Sequence, residues 1–147
     1  EQWILNDIEA AGGDREEAAA SAPNIATEAM VAYAYDTVMR RNPVGFFGMV
    51  HVLEGTSVSL ALQAADRIQS TLELPTRAFT YLRSHGELDK EHINDLAAIL
   101  ERLTDPADRV AVVRCAKAIY WLYGEVFRSL DAPPNLASVD EPQRRIA

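Results

Sequence analysis

A chain of 147 residues with a hydrophobic fraction of 48% is long enough for one domain with its own buried core. Its net charge of −8 excludes nucleic acid as a partner, because phosphate binding needs clustered Lys and Arg. The single cysteine, Cys115, excludes a disulfide framework and suits a reducing cytosol, and neither a membrane-length apolar run nor a signal peptide is visible.

The predicted elements are helical, because alanine is abundant and β-branched alternation is scarce. A first helix runs from Glu1 to about Ala11, with Trp3, Ile4 and Ile8 on one face, and stops at Gly12-Gly13. It carries neither an initiator Met nor an N-cap, so it is expected to begin upstream of Glu1. Asp14 caps a short helix through Ala20, and Ser21-Ala22-Pro23 turns the chain. A second long helix spans about Asn24 to Arg41, with Ile25, Ala29, Met30, Ala34 and Val38 as its buried stripe. Asn42-Pro43 breaks it.

The third long helix spans about Val44 to Leu72 and opens apolar all round, so its first half is expected to be buried. Gly45, Gly48 and Gly55 each cost about 1 kcal/mol relative to Ala inside a helix, which points to close packing. Pro75 opens a fourth helix through Phe79 and Leu82 toward His85. Gly86 is expected to bend or split it before it resumes to about Thr104. Asp105-Pro106 starts the last helix, which runs to about Leu130 and ends at Ala132-Pro133-Pro134. One helical domain over residues 1–132 results, with a polar tail over 133–147 expected to be mobile.

The chemistry concentrates in His85-Gly-Glu-Leu-Asp89-Lys-Glu-His92, which holds two of the three histidines. Positions i, i+4 and i+7 fall within roughly 60° of one another on a helix. Imidazole and carboxylate together are a ligand set for iron, manganese or zinc. Charged residues on a helix are most often a solvated face, and Glu87, Lys90 and Glu91 fit that description. One helix supplies three donors, so a second helix must contribute. Glu54 is the candidate: midway along the most apolar helix, a carboxylate is costly unless paired, protonated or metal-bound. The other reading is a hydrogen bond from Glu54 to a Tyr or Arg of another helix. His51, one turn earlier, reads as a satisfied core histidine, with ligand or ligand-orienting roles left open. Cys115 reads as a core thiol. Tyr33, Tyr35, Tyr120 and Tyr123 read as core or pocket wall.

The run Gly45-Phe-Phe-Gly-Met-Val-His-Val-Leu-Glu54-Gly-Thr-Ser, followed by Ser84-His85-x3-Asp89-x2-His92, resembles the heme-oxygenase-like diiron oxidases. That group includes iron-containing redox enzymes and TenA/PqqC-like proteins. Trp3-Ile-Leu-Asn-Asp7-Ile-Glu-Ala-Ala-Gly-Gly-Asp14 resembles the segment that follows the family's first ligand helix, and the likeness spans roughly residues 1–130. It implies an all-α, heme-oxygenase-like bundle of about six helices. It also implies non-heme iron, one ion or two, held by Glu54, His85, Asp89 and His92. A further Glu and His are expected just before Glu1. The implied activity is O2-dependent oxidation of an unknown small molecule; the cysteine usage and apolar runs add a cytoplasmic location and no membrane partner, with a homodimer left open. Two features of neighbouring branches have no counterpart: the proximal His of heme oxygenases, and the catalytic Cys of thiaminase-type members, which Cys115 does not match. The competing expectation is a non-enzymatic helical binding module with an incomplete metal site.

Overall fold

Side-chain caps set three of the six α-helix starts in the computed structural model, which describes residues 2–131. The Asp14 carboxylate accepts from the Glu16 and Glu17 amides at 2.8 and 2.9 Å and starts α2 (Arg15–Ala20). Asn24 accepts from Thr27 N at 2.9 Å and starts α3 (Ile25–Arg40). Asp105 accepts from Ala107 N at 2.8 Å, with Pro106 in the first turn, and starts α6 (Pro106–Arg128). The remaining helices are α1 (Gln2–Ala10), α4 (Phe46–Leu72) and α5 (Thr80–Glu101). Single 3-10 turns lie at Pro43–Gly45, Thr76–Phe79 and Ser129–Asp131. The described residues contain six α-helices and no strand, so the fold is the all-α bundle expected. The helix stop at Ala132-Pro133-Pro134 and the polar tail lie outside the described residues.

Helix α4 is the centre. It packs against α5 on one side and α6 on the other, while α3 lies across α6 and α1 across the start of α5. By length and composition alone, Pro43–Leu72 would suffice to cross a membrane. Here the same apolarity serves a central helix with neighbours on two sides. The innermost cluster is Val52, Cys115 and Ile119, with Met30, Tyr33, Met49, Leu53 and Tyr123 packed around it. Gly48 lets α4 and α6 approach closely. A Cβ there would lie 2.3 Å from the Val112 carbonyl oxygen and 2.6 Å from the Ala116 amide nitrogen.

Several expectations need correction. The buried line of α3 runs through Met30, Ala34 and Thr37, while Ile25 and Val38 are exposed. Thr37 is accommodated because its hydroxyl donates back to the Tyr33 carbonyl at 2.9 Å, which frees the chain to bury a residue that looks polar. The first half of α4 is only partly covered: Phe46 and His51 face outward. Pro75 opens a 3-10 turn rather than the fourth helix, and α5 ends at Glu101. Gly86 does not split α5, which runs unbroken through it. It lets α5 approach α4, since a Cβ there would sit 2.8 Å from Leu62 Cγ. Gly55 meets only Ile93 Cδ1, at 3.8 Å, so no close approach requires it.

Candidate metal centre

The pairing of α4 with α5 brings Glu54, Asp89 and His92 together. Each offers one ligand atom, and these atoms all lie within 4.8 Å of one another. His92 Nδ1 is 3.7 Å from Glu54 Oε1 and 3.6 Å from Asp89 Oδ1. Those separations are too long for hydrogen bonds. They lie at or just beyond the roughly 3–3.6 Å that separates neighbouring donors about 2.0–2.2 Å from a shared ion. Asp89 is 4% exposed. Glu54 Oε2 is buried and has no hydrogen-bond partner. Among the described residues neither carboxylate pairs with a Lys or Arg, and Glu54 makes no hydrogen bond to a Tyr or Arg. Two carboxylates sharing a site repel unless a cation lies between them. The orphaned oxygen and the donor set therefore fit a divalent ion.

His85 shares the helical stripe but not the cluster. Its Nδ1 lies 3.0 Å from the Tyr81 carbonyl oxygen, and its ring packs 4.0 Å, centroid to centroid, from the Tyr81 ring. A carbonyl only accepts, so Nδ1 is the donor in this contact and Nε2 is the nitrogen left for another partner. Trp3 approaches the same imidazole edge-on at 6.3 Å. His85, Asp89 and His92 nonetheless line one cleft with Glu54, of about 730 Å³. Its walls are otherwise mostly apolar, with Leu53, Leu60, Ile68 and Phe127 among them, and among the described residues no Lys or Arg lines it.

His51 is exposed and lies outside that cleft, which corrects the expectation of a core histidine. Tyr123 lines the cleft. Burial first, and then the nearby Tyr81, push its hydroxyl pKa up, so it stays protonated and able to donate. Tyr33 packs on the core, whereas Tyr35 and Tyr120 are exposed. Cys115 is the core thiol it reads as, at 2% exposure. Burial pushes its pKa up, against a smaller opposing contribution from the Thr37 hydroxyl. It should react with a thiol reagent such as DTNB only after denaturation; rapid labelling of the folded protein would refute this burial.

One buried acid was not singled out in the sequence. Asp7, on α1, accepts from Tyr81 N at 2.8 Å and from the Thr80 hydroxyl. The available signal was its place between Ile4 and Ile8 on the apolar face of the first helix, where a carboxylate needs a partner.

These observations meet the comparisons with known proteins at one point. No match was found among curated proteins or among solved structures. A family model described as iron-containing redox enzyme matches residues 1–124. The match agrees with the heme-oxygenase-like resemblance and supports a redox function at that level. The chain belongs to the iron-containing redox enzyme family.

Proposed function

We propose that the protein is a non-heme iron-dependent oxidase or oxygenase that uses O2 against a small molecule. The observation that carries this reading is the convergence of Glu54, Asp89 and His92, whose ligand atoms all lie within 4.8 Å of one another. Mixed carboxylate and imidazole donors suit iron, manganese or zinc, and membership of the family favours iron. Glu54 and Asp89 would neutralise the ion's charge, and His92 would supply a neutral nitrogen. His85 belongs to the proposed ligand set through Nε2, from its own place in the cleft. Bound there, iron would supply the redox centre for activating O2.

The remaining residues act on the substrate. The apolar walls at Leu53, Leu60 and Phe127 exclude water and favour an apolar body. With no Lys or Arg among the described residues of the lining, these walls offer no ion-pair partner to an anion. The Tyr123 hydroxyl is placed to donate a hydrogen bond to a polar group of the substrate. The acidic balance and the lone buried thiol fit a cytoplasmic protein.

Thermal melting with anaerobic Fe(II) tests the reading. Ion at one hundred times its Kd stabilises the folded state by about 2.7 kcal/mol, or roughly 5–10 °C in Tm for a chain of this size. Asp89→Asn should abolish that shift. Superimposable wild-type melts with and without Fe(II) would refute the site.

A further inference from the structure

We infer that Asp7 is a positioning residue for His85: reaching across from α1, its carboxylate pins the first turn of α5 and so sets the tautomer and aim of the imidazole. The inference rests on reading His85 as part of the cleft's ligand set.

A helix start leaves its first N–H groups without partners. Phe79, at the cap position of α5, offers no side-chain acceptor. Asp7 provides one from a different helix. Its Oδ2 accepts from Tyr81 N at 2.8 Å, and its Oδ1 accepts from the Thr80 hydroxyl. Negative charge at a helix N-terminus is favourable in its own right. Asp7 is only 9% exposed, so both contacts are shielded from water. This is an N-cap delivered in trans, 74 residues away in sequence.

Tyr81 carries the constraint onward. Its N–H is held by Asp7, and its carbonyl accepts from His85 Nδ1 at 3.0 Å and from the Ser84 hydroxyl at 2.9 Å. Its ring lies against the imidazole at 4.0 Å. One residue is thus fixed by its amide and fixes His85 by its carbonyl and ring. Because Nδ1 is occupied, Nε2 is the nitrogen left to face a ligand. Trp3, one turn before Asp7 on α1, meets the imidazole edge-on at 6.3 Å. Without the carboxylate, the first turn of α5 frays, Tyr81 moves, and His85 loses the acceptor that selects its tautomer.

A purely structural cap would affect stability alone, so the test reads His85 directly. Protein carrying 15N-histidine is examined metal-free at a fixed neutral pH by long-range 1H–15N NMR, with His85→Gln assigning the signal. The wild type should show the Nδ1–H form of His85. Asp7→Ala should shift the population toward Nε2–H and weaken Fe(II) binding about 10–100-fold, the range typical of groups that orient a ligand. Asp7→Asn keeps an oxygen for Tyr81 N–H and should recover most of both. If Asp7→Ala does not fold, Thr80→Val, which strips one partner from the carboxylate, must move the tautomer ratio the same way. A folded variant with an unchanged tautomer ratio overturns the inference. If the wild type binds no Fe(II), the metal reading fails by itself, and the tautomer result still decides this one.

Discussion

His92→Ala should cut Fe(II) affinity by more than about 100-fold, beyond the 10–100-fold typical of groups that only orient a ligand. His51→Ala should leave iron content unchanged. Both residues are histidines on long helices, one on each side of the α4–α5 pair. His92 Nδ1 stands 3.7 and 3.6 Å from two carboxylate oxygens, whereas His51 is exposed and outside the cleft. Alanine is the best helix former, so neither substitution should disturb its helix. Iron content measured over a range of Fe(II) concentrations, alongside O2 consumption, separates the two. Unchanged iron content in His92→Ala would sink the proposed centre. Equal losses in both variants would mean that the cleft has been misidentified.

Gly48→Ala should be the most damaging single methyl in the bundle. The added carbon would meet the Val112 carbonyl oxygen at 2.3 Å and the Ala116 amide nitrogen at 2.6 Å. Both are backbone atoms of α6, so no rotamer change relieves the clash and the two helices must separate. Overpacking of a core commonly costs 1–3 kcal/mol, and a rigid backbone contact belongs at or above the top of that range, about 3 kcal/mol. The intrinsic helix preference of Ala offsets only about 1 kcal/mol. The net loss of about 2 kcal/mol or more should lower Tm by roughly 4–8 °C. Gly55→Ala, seven residues along the same helix, is the internal control. Its Cβ would touch only Ile93 Cδ1, at 3.8 Å, so the propensity gain should dominate and Tm should rise. Shifts of the same sign in both variants would refute the close-approach account.

Much of this architecture is legible in local chemistry. Asp14, Asn24 and Asp105 announce helix starts because a cap needs only a side-chain oxygen and the next amides. Glu54 stands out because an apolar helix has no reason to carry an unpartnered carboxylate. What spacing cannot supply is height. His85, Asp89 and His92 share one stripe, but seven residues of helix rise about 10.5 Å. Nothing in the spacing says that the cluster closes around Asp89 and His92 while His85 turns back to its own helix at Tyr81. Tertiary partners are hidden for the same reason. Val38 looks like core and is exposed, while Thr37 is buried because its hydroxyl finds a carbonyl on its own helix. Asp7 is unreadable as a cap, since the amide it serves lies in another helix.

Glu54, Asp89 and His92 all belong to the antiparallel pair formed by α4 and α5, within residues 54–92. A ligand stabilises a protein only against openings that destroy its own site. Partial unfolding that releases α3, or that frays α6 beyond Ile119, leaves this hairpin and its donors in place. An ion held there would therefore slow amide exchange in α4 and α5 while leaving α3 nearly as labile as before. The cooperative unit that responds to the ion would be smaller than the domain, and the ion's grip would be insensitive to loosening of α3 or of the end of α6.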